Sequence, residues 1–259
     1  MSWALIAGGS KGIGLSVAEA LAKRKYDLLL IARNIKELTE AKTKLESNFN
    51  IKVEIISCDL SSSESPDIIY DYCLSKNLEL NILCNVAGMG GSKDFLVLPP
   101  NDLRTMIRIN VESPVALSLI LIPLLKKNSP SYILNIGSMA GFAPLPIKAV
   151  YASTKSALHS FSYSLRYLLK ESNISVSCLC PGPVFTKSSI EQETIKQLGW
   201  IGKKMTVGTV AVGELAVRGM FQRKMIIVPG KLATLFSFLL RILPAQFLAY
   251  ISYSFTRKK

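Results

Sequence analysis

Seven apolar, β-rich runs alternate with six helical patterns along this chain, and no other feature restricts its fold as strongly. The runs cover residues 3–7, 27–32, 52–58, 80–84, 131–137, 174–180 and 225–228. The helical patterns fall near 12–24, 35–48, 66–76, 101–127, 149–171 and 207–222. Strands joined by helix-length crossovers make βαβ units, whose strands lie parallel. Runs such as DLLLIA, 27–32, are apolar throughout rather than alternating, as strands buried on both faces must be. The expected fold class is therefore α/β, a doubly wound parallel sheet covered by helices on both faces. The 259 residues suffice for one such domain with a sizeable core. We place this domain at 1–230, with 186–206 as a candidate substrate lid and 231–259 as an apolar, basic helical extension.

The first run ends in AGGSKGIG, residues 7–14, which opens the first helix. A strand, a glycine turn and a helix N-terminus in that order form an anion site, because unpaired amides and the helix dipole point at one spot. Glycine there lets the backbone approach a pyrophosphate without a Cβ in the way. Gly8, Ser10, Lys11, Gly12, Ile13 and Gly14 are the candidate contacts. A site for NAD carries a carboxylate at the end of the second strand, for the adenine ribose 2′-hydroxyl. Here that strand ends in LLIARN, with Arg33 and no acid, while Asp27 stands at its opposite end. Lys11 and Arg33 together favour a 2′-phosphate, so the expected cofactor is NADP(H). Further strand ends point to the same edge. Asp59 and Leu60 follow the third strand, with Asp59 placed for the adenine amino group. Asn85, Ala87 and Gly88 end the fourth, where Asn85 can also brace neighbouring strands. Pro181, Gly182, Val184 and Thr186 follow the sixth, near the nicotinamide amide and the pyrophosphate.

YASTK, 151–155, places Tyr151 and Lys155 four residues apart, on one face of a helix. An unperturbed phenol is a poor acid at neutral pH. A fixed ammonium beside it lowers its pKa and fits it to give a proton to a carbonyl oxygen as hydride reaches the carbon. Ser138, at the tip of the fifth strand, faces the ligand crevice of an open sheet and can orient the same oxygen. Asn110, inside the helical stretch 101–127 and just before Pro114, suits a proton relay through water. Taken singly, each of these is an ordinary turn, surface or helix residue.

Together they resemble the short-chain dehydrogenase/reductase family over roughly residues 1–230, the 3-oxoacyl and 17β-hydroxysteroid reductase branch in particular. The glycine motif appears as Ala7-Gly8 followed by Gly12-Ile13-Gly14, and the NNAG motif as NVAG, 85–88. The Asn-Ser-Tyr-Lys set appears as Asn110, Ser138, Tyr151 and Lys155, and the PG motif as Pro181-Gly182. Ala7 stands where Thr is usual and Val86 where the second Asn is usual. The resemblance implies a Rossmann fold with seven strands in the order 3-2-1-4-5-6-7. It implies ketone–alcohol interconversion with Lys155 on the nicotinamide ribose, and a homodimer or homotetramer paired through 101–127 and 149–171. The rival reading is a non-catalytic NADPH-binding sensor or a membrane-associated scaffold.

The net charge is +13, and the part beyond residue 186 carries +9 of it. Such a basic part points to an anionic partner, but no nucleic-acid motif is present and nucleic acid is not expected. The apolar stretch 232–255 holds Arg241 and Pro244 at its middle, so two amphipathic helices fit better than one membrane span. They can cap a pocket, pack on a partner subunit, or lie on the acidic cytoplasmic face of a membrane. No leader precedes the first strand, so a cytoplasmic location is expected. Five cysteines without a CxxC pair, and a lone histidine, His159, predict reduced buried thiols and no metal.

Overall fold

Each apolar run forms a strand: β1 (Trp3–Ala7), β2 (Asp27–Ala32), β3 (Val53–Ser57), β4 (Leu80–Asn85), β5 (Ser131–Ile136), β6 (Ile174–Leu179) and β7 (Ile226–Ile227). The computed structural model describes residues 2–90, 94–182 and 208–257. The strands pair in parallel in the order β3-β2-β1-β4-β5-β6-β7. Between them run α1 (Gly12–Ala22), α2 (Ile35–Phe49), α3 (Ser65–Ser75), α4 (Pro100–Ile107), α5 (Ser113–Lys127), α6 (Ala149–Leu168) and α7 (Thr209–Phe221). Two further helices follow β7, α8 (Lys231–Ile242) and α9 (Ala245–Arg257).

The continuous apolar strands serve two cores, because successive side chains point to opposite faces. Ala4, Ile6, Leu28 and Leu30 pack with Val17, Leu21, Leu38 and Val217 of α1, α2 and α7. Leu5, Ala7, Leu29 and Ile31 pack with Ile69, Leu117, Leu121 and Leu165 of α3, α5 and α6. The chain works outward from β1 to β3 and then returns to β4 on β1's other side. The C-terminal tips of β1 and β4 therefore flank the crevice where open α/β sheets hold ligands.

One local departure from the sequence expectation matters for the site. The stretch 101–127 is not one α-helix: a π turn, Arg108–Glu112, separates α4 from α5. Pro114 has no N–H to give to the carbonyl of Asn110 four residues earlier, so α-type bonding must break there. The apolar stretch near the C-terminus breaks at Pro244 into the two helices its sequence predicts, α8 and α9. Among the described residues, the run long and apolar enough by composition to cross a membrane is Pro100–Lys127. It contains α5, whose Leu117, Leu121 and Leu125 are buried in the core.

Candidate active site

The glycine turn after β1 is built by close backbone approach. Gly8 has φ +94° and donates its N–H to the Ile31 carbonyl at 2.7 Å. A Cβ on Gly8 would stand 2.6 Å from the Ala87 nitrogen, and one on Gly14 would strike the Gly8 carbonyl. The turn, the first turn of α1 and the tip of β4 thus touch with no room for side chains. Ala87 and Val86 seal that contact by donating their N–H groups to the Ala7 carbonyl at 2.7 and 2.9 Å. No side chain caps α1 at Lys11, which leaves the amides of Gly12, Ile13 and Gly14 at an uncapped helix end. This cradle fits a dinucleotide pyrophosphate.

Around the adenine end, the structure adds a carboxylate that the strand-end pattern does not show. Asn34 caps α2, its side chain accepting from the N–H groups of Lys36 and Glu37 at 3.0 and 3.3 Å. The cap swings Glu37 over the glycine turn. There it accepts from Lys11 Nζ at 2.7 Å and from Ser10 Oγ at 3.2 Å. The Lys11 hydrogen bond holds the Glu37 carboxyl below its ordinary range, with Arg33 adding a smaller pull. Asp59 accepts from the N–H and the hydroxyl of Ser61 at 2.9 and 2.8 Å, and these bonds keep it ionised. Leu60 beside it is buried.

The four candidate catalytic residues converge on the tips of β4 and β5. Tyr151 lies near the start of α6, close enough to Ser138, which follows β5, for the serine hydroxyl to act on the phenol. Lys155, one turn further on, is buried, donates to the Ile136 carbonyl at 2.8 Å, and lies 5.9 Å from the Tyr151 ring centroid. Burial pulls the Lys155 pKa down to about 8, against a smaller opposing effect of the Cys178 and Cys180 thiols. The sequence predicts a phenol made more acidic by that lysine. In the fold, burial instead raises the Tyr151 pKa, and the Ser138 hydrogen bond offsets only part of the rise. Asn110 is buried in the π turn. Its amide is committed to neighbours: Oδ1 accepts from Met89 N–H at 2.8 Å, while Nδ2 donates to the Met89 carbonyl at 2.9 Å and Thr154 Oγ1 at 3.1 Å. Gly88 joins the two halves, since a Cβ there would sit 3.3 Å from Asn110 Oδ1 and 3.5 Å from Lys155 Nζ.

Asn85 braces the sheet. Its Nδ2 donates to Asn135 Oδ1 at 2.8 Å, and Asn135 Nδ2 donates to Ser162 Oγ of α6 at 2.9 Å. This buried chain fixes α6 against β4 and β5 and so fixes the height of Tyr151. Asn135→Ala leaves buried polar partners unpaired, and we expect it to lower stability by about 1–3 kcal/mol in urea unfolding. Pro181 accepts from Met139 N–H at 3.1 Å, which ties the PG turn to the Ser138 segment, and Gly182 follows it. Val184, Thr186 and the candidate lid 186–206 lie outside the described residues.

Several neighbours of the site escape the sequence reading. Glu37 is one. His159, one turn beyond Lys155 on α6, is another: its Nε2 accepts from the Ser138 N–H at 3.4 Å and meets Cys180 Sγ at 3.1 Å. Phe142 packs on the His159 ring at 4.5 Å between centroids, and Arg241 of α8 lies 5.4 Å from the Phe142 ring. An i, i+4 relation to Lys155 was the available signal for His159. The arrival of α8 is the pocket-capping placement, one of the three that the apolar C-terminal stretch allowed.

Comparison with known proteins agrees with this geometry. A family model described as short chain dehydrogenase matches residues 2–197. The very-long-chain 3-oxoacyl-CoA reductase of Rattus norvegicus is 35% identical over 191 residues, 71% of this chain and 60% of that protein. The match thus spans about three-fifths of that relative's length. The L-sorbose reductase of Gluconobacter frateurii, solved in complex with NADPH and L-sorbose, superposes with a TM-score of 0.78 at 25% identity, over 88% of this chain and 94% of that one. A 7beta-hydroxysteroid dehydrogenase superposes with a TM-score of 0.86 over 97% of this chain and 96% of its own, at 14% identity, a likeness of fold alone.

Proposed function

Because the chain belongs to the short chain dehydrogenase family, we propose that it is an NADP(H)-dependent oxidoreductase interconverting a ketone and a secondary alcohol on an apolar, lipid-like substrate. The observation that carries this reading is the convergence of Ser138, Tyr151 and Lys155 at the tip of β5, with the Lys155 ammonium 5.9 Å from the Tyr151 ring centroid and one helical turn behind. When bound, the dinucleotide supplies the hydride. Ser138 orients the substrate carbonyl toward Tyr151, and Tyr151 donates the proton to its oxygen. Lys155 stabilises the phenolate that remains and binds the nicotinamide ribose. Asn110 completes the proton path: its side-chain amide is engaged by Met89 and Thr154, so we assign the relay water to its main-chain carbonyl, released from α-type bonding by Pro114. The cofactor preference rests on Lys11 and Arg33, and the NADPH held by the L-sorbose reductase supports it. Asp59 is assigned to the adenine, Pro181 and Gly182 to the nicotinamide amide.

The apolar substrate class is suggested by the side chains around a small hollow beside Tyr151, where Phe95, Leu98, Met106, Ile147 and Val150 stand with Lys148. A 3-oxoacyl chain, a keto-sphingoid base or a steroid-like ring presents that kind of surface, and the rat relative is named for a 3-oxoacyl-CoA. The test is a panel of apolar ketones followed by loss of the reduced-nicotinamide absorbance. A protein that binds NADPH yet consumes none with any of them is the sensor of the rival reading.

The C-terminal helices lend themselves to a membrane surface. The inner side of α8 is buried at Ala233 and Ser237, and Arg241 reaches Phe142 beside the active site. The outer side exposes Leu235, Phe236, Phe238 and Ile242, continued on α9 by Phe247 and Tyr250. With Lys231 at the start of α8 and three basic residues, 257–259, closing the sequence, this face suits acidic headgroups over acyl chains on the cytoplasmic side of a membrane. Each buried large side chain contributes about 1.5–3 kcal/mol. Phe238→Glu should therefore lower partitioning onto phosphatidylserine-containing vesicles roughly 10- to 100-fold. Equal flotation of the two proteins contradicts the assignment. Leu119, Tyr167 and Leu168, exposed on α5 and α6, are assigned to subunit pairing, checked by light scattering.

A further inference from the structure

Behind Ser138, away from the substrate side, three side chains with soft ligand atoms meet. Cys178 and Cys180 lie two residues apart on and just beyond β6, so both point to one face of the strand. His159 comes to that face from α6. All three are buried, the two cysteines completely. Their sulfurs are 3.7 Å apart, Cys180 Sγ is 3.1 Å from His159 Nε2, and the three ligand atoms all lie within 4.8 Å of one another. A tetrahedral ion with sulfur at ~2.3 Å and nitrogen at ~2.0–2.1 Å sets edges of roughly 3.8 Å between sulfurs and roughly 3.5 Å from sulfur to nitrogen. The sulfur–sulfur edge already has that length, the edge from Cys180 Sγ to His159 Nε2 needs to open by a few tenths of an ångström, and Cys178 Sγ lies within 4.8 Å of the imidazole nitrogen.

The surroundings hold this arrangement in place. A Cβ at Gly137 would sit 2.8 Å from Cys178 Sγ and against His159 Nε2, and one at Gly141 would sit 2.6 Å from His159 Cε1. Both positions beside Ser138 are glycine, and both admit the imidazole. Phe142 packs on the ring at 4.5 Å and sets its plane, so that Nε2 faces the sulfurs. That nitrogen accepts a long hydrogen bond from the Ser138 N–H, so it is the unprotonated nitrogen of the ring, and a metal competes with that bond for its lone pair.

We propose that His159, Cys178 and Cys180 form a binding site for a thiophilic divalent d¹⁰ cation of the Zn²⁺ type, and that occupation switches off the neighbouring chemistry. Binding releases two thiol protons and forms two metal–thiolate bonds and one metal–imidazole bond, and a water takes the fourth tetrahedral position. The charge of the ion is cancelled by the two thiolates, so the buried site is neutral when loaded. A metal on Nε2 takes the lone pair that now accepts from the Ser138 N–H, and the Ser138 segment keeps only its tie through Met139 to Pro181. The binding half stands on the cluster alone. The inhibitory half rests on the carbonyl-reductase reading given above.

The test uses the full chain, purified reduced and metal-free, and titrated with Cd²⁺ as a spectroscopic stand-in. An ultraviolet thiolate-to-cadmium charge-transfer band should grow to a plateau at one ion per chain and disappear on addition of Zn²⁺. Loss of groups that only support a metal's ligands costs ~10–100-fold in affinity. Removal of the ligands themselves, in Cys178→Ser with Cys180→Ser or in His159→Gln, should cost at least as much. Cys58→Ser, which removes the half-exposed thiol, should leave the band unchanged. NADPH consumption on an accepted ketone should fall in step with the band and return with a chelator. Absence of the band in the unmodified protein at one equivalent, or its survival in the double serine variant, overturns the site. A saturated band with undiminished turnover overturns the inhibition. A protein that shows the band but reduces no ketone leaves the site standing and removes the functional reading instead.

Discussion

Tyr151→Phe should remove turnover while leaving NADPH binding within a factor of about two. The substitution deletes one oxygen from a ring held near the start of α6, so packing survives and only the proton donor goes. General acid catalysis by one positioned group is typically worth ~10²–10⁴ in rate, and the drop in kcat/KM should fall in that range or exceed it. Near-normal activity in the variant would mean that another group delivers the proton and that the convergence of Ser138, Tyr151 and Lys155 is incidental. The direction of the Tyr151 shift adds a second observable. Burial favours the neutral phenol, so the donor stays loaded through the neutral range and reduction there should be insensitive to pH. Oxidation of the alcohol needs the phenolate and should accelerate as pH rises. An oxidation rate that falls toward alkaline pH contradicts the assignment.

Arg33→Asp should turn cofactor preference from NADPH toward NADH. A charge-assisted hydrogen bond to the 2′-phosphate contributes about 1.5–3 kcal/mol, and its loss corresponds to roughly 10- to 150-fold in kcat/KM for NADPH. The carboxylate introduced at the end of β2 repels the phosphate and accepts from the free 2′-hydroxyl, so the two effects move the ratio in the same direction. Glu37 sharpens the experiment. It pairs with Lys11 at 2.7 Å, and a 2′-phosphate has to draw Lys11 away from it. Glu37→Gln should therefore tighten NADPH and leave NADH unchanged. An unaltered ratio of the two cofactors in Arg33→Asp, with or without the Glu37 change, defeats the phosphate reading.

Periodicity within one element was legible in the chain from the start. Continuous apolar runs gave buried strands, and the helical stretches between them made those strands parallel, because a helix-length crossover returns the chain in the same direction. The observed strands fall within a residue or two of the expected bounds. Tyr151 and Lys155 share a face because four residues make one helical turn, whatever else the helix touches. The strand order follows from the family resemblance and not from alternation, which states that strands are parallel without saying which are neighbours.

What stayed hidden depends on distances between elements. Glu37 reaches Lys11 across 26 residues because Asn34 sets the direction in which α2 leaves β2. The sequence reading found no acid at the strand end for that reason. Cys178, Cys180 and His159 read as scattered core residues until β6 and α6 pack side by side. The rise in the Tyr151 pKa has the same origin: the pair spacing suggested a lysine-lowered phenol, but desolvation is a property of everything packed around the hydroxyl. Local backbone geometry is written into a few consecutive residues. The electrostatics of a site are summed over neighbours that folding alone brings together, and no single stretch of chain contains that sum.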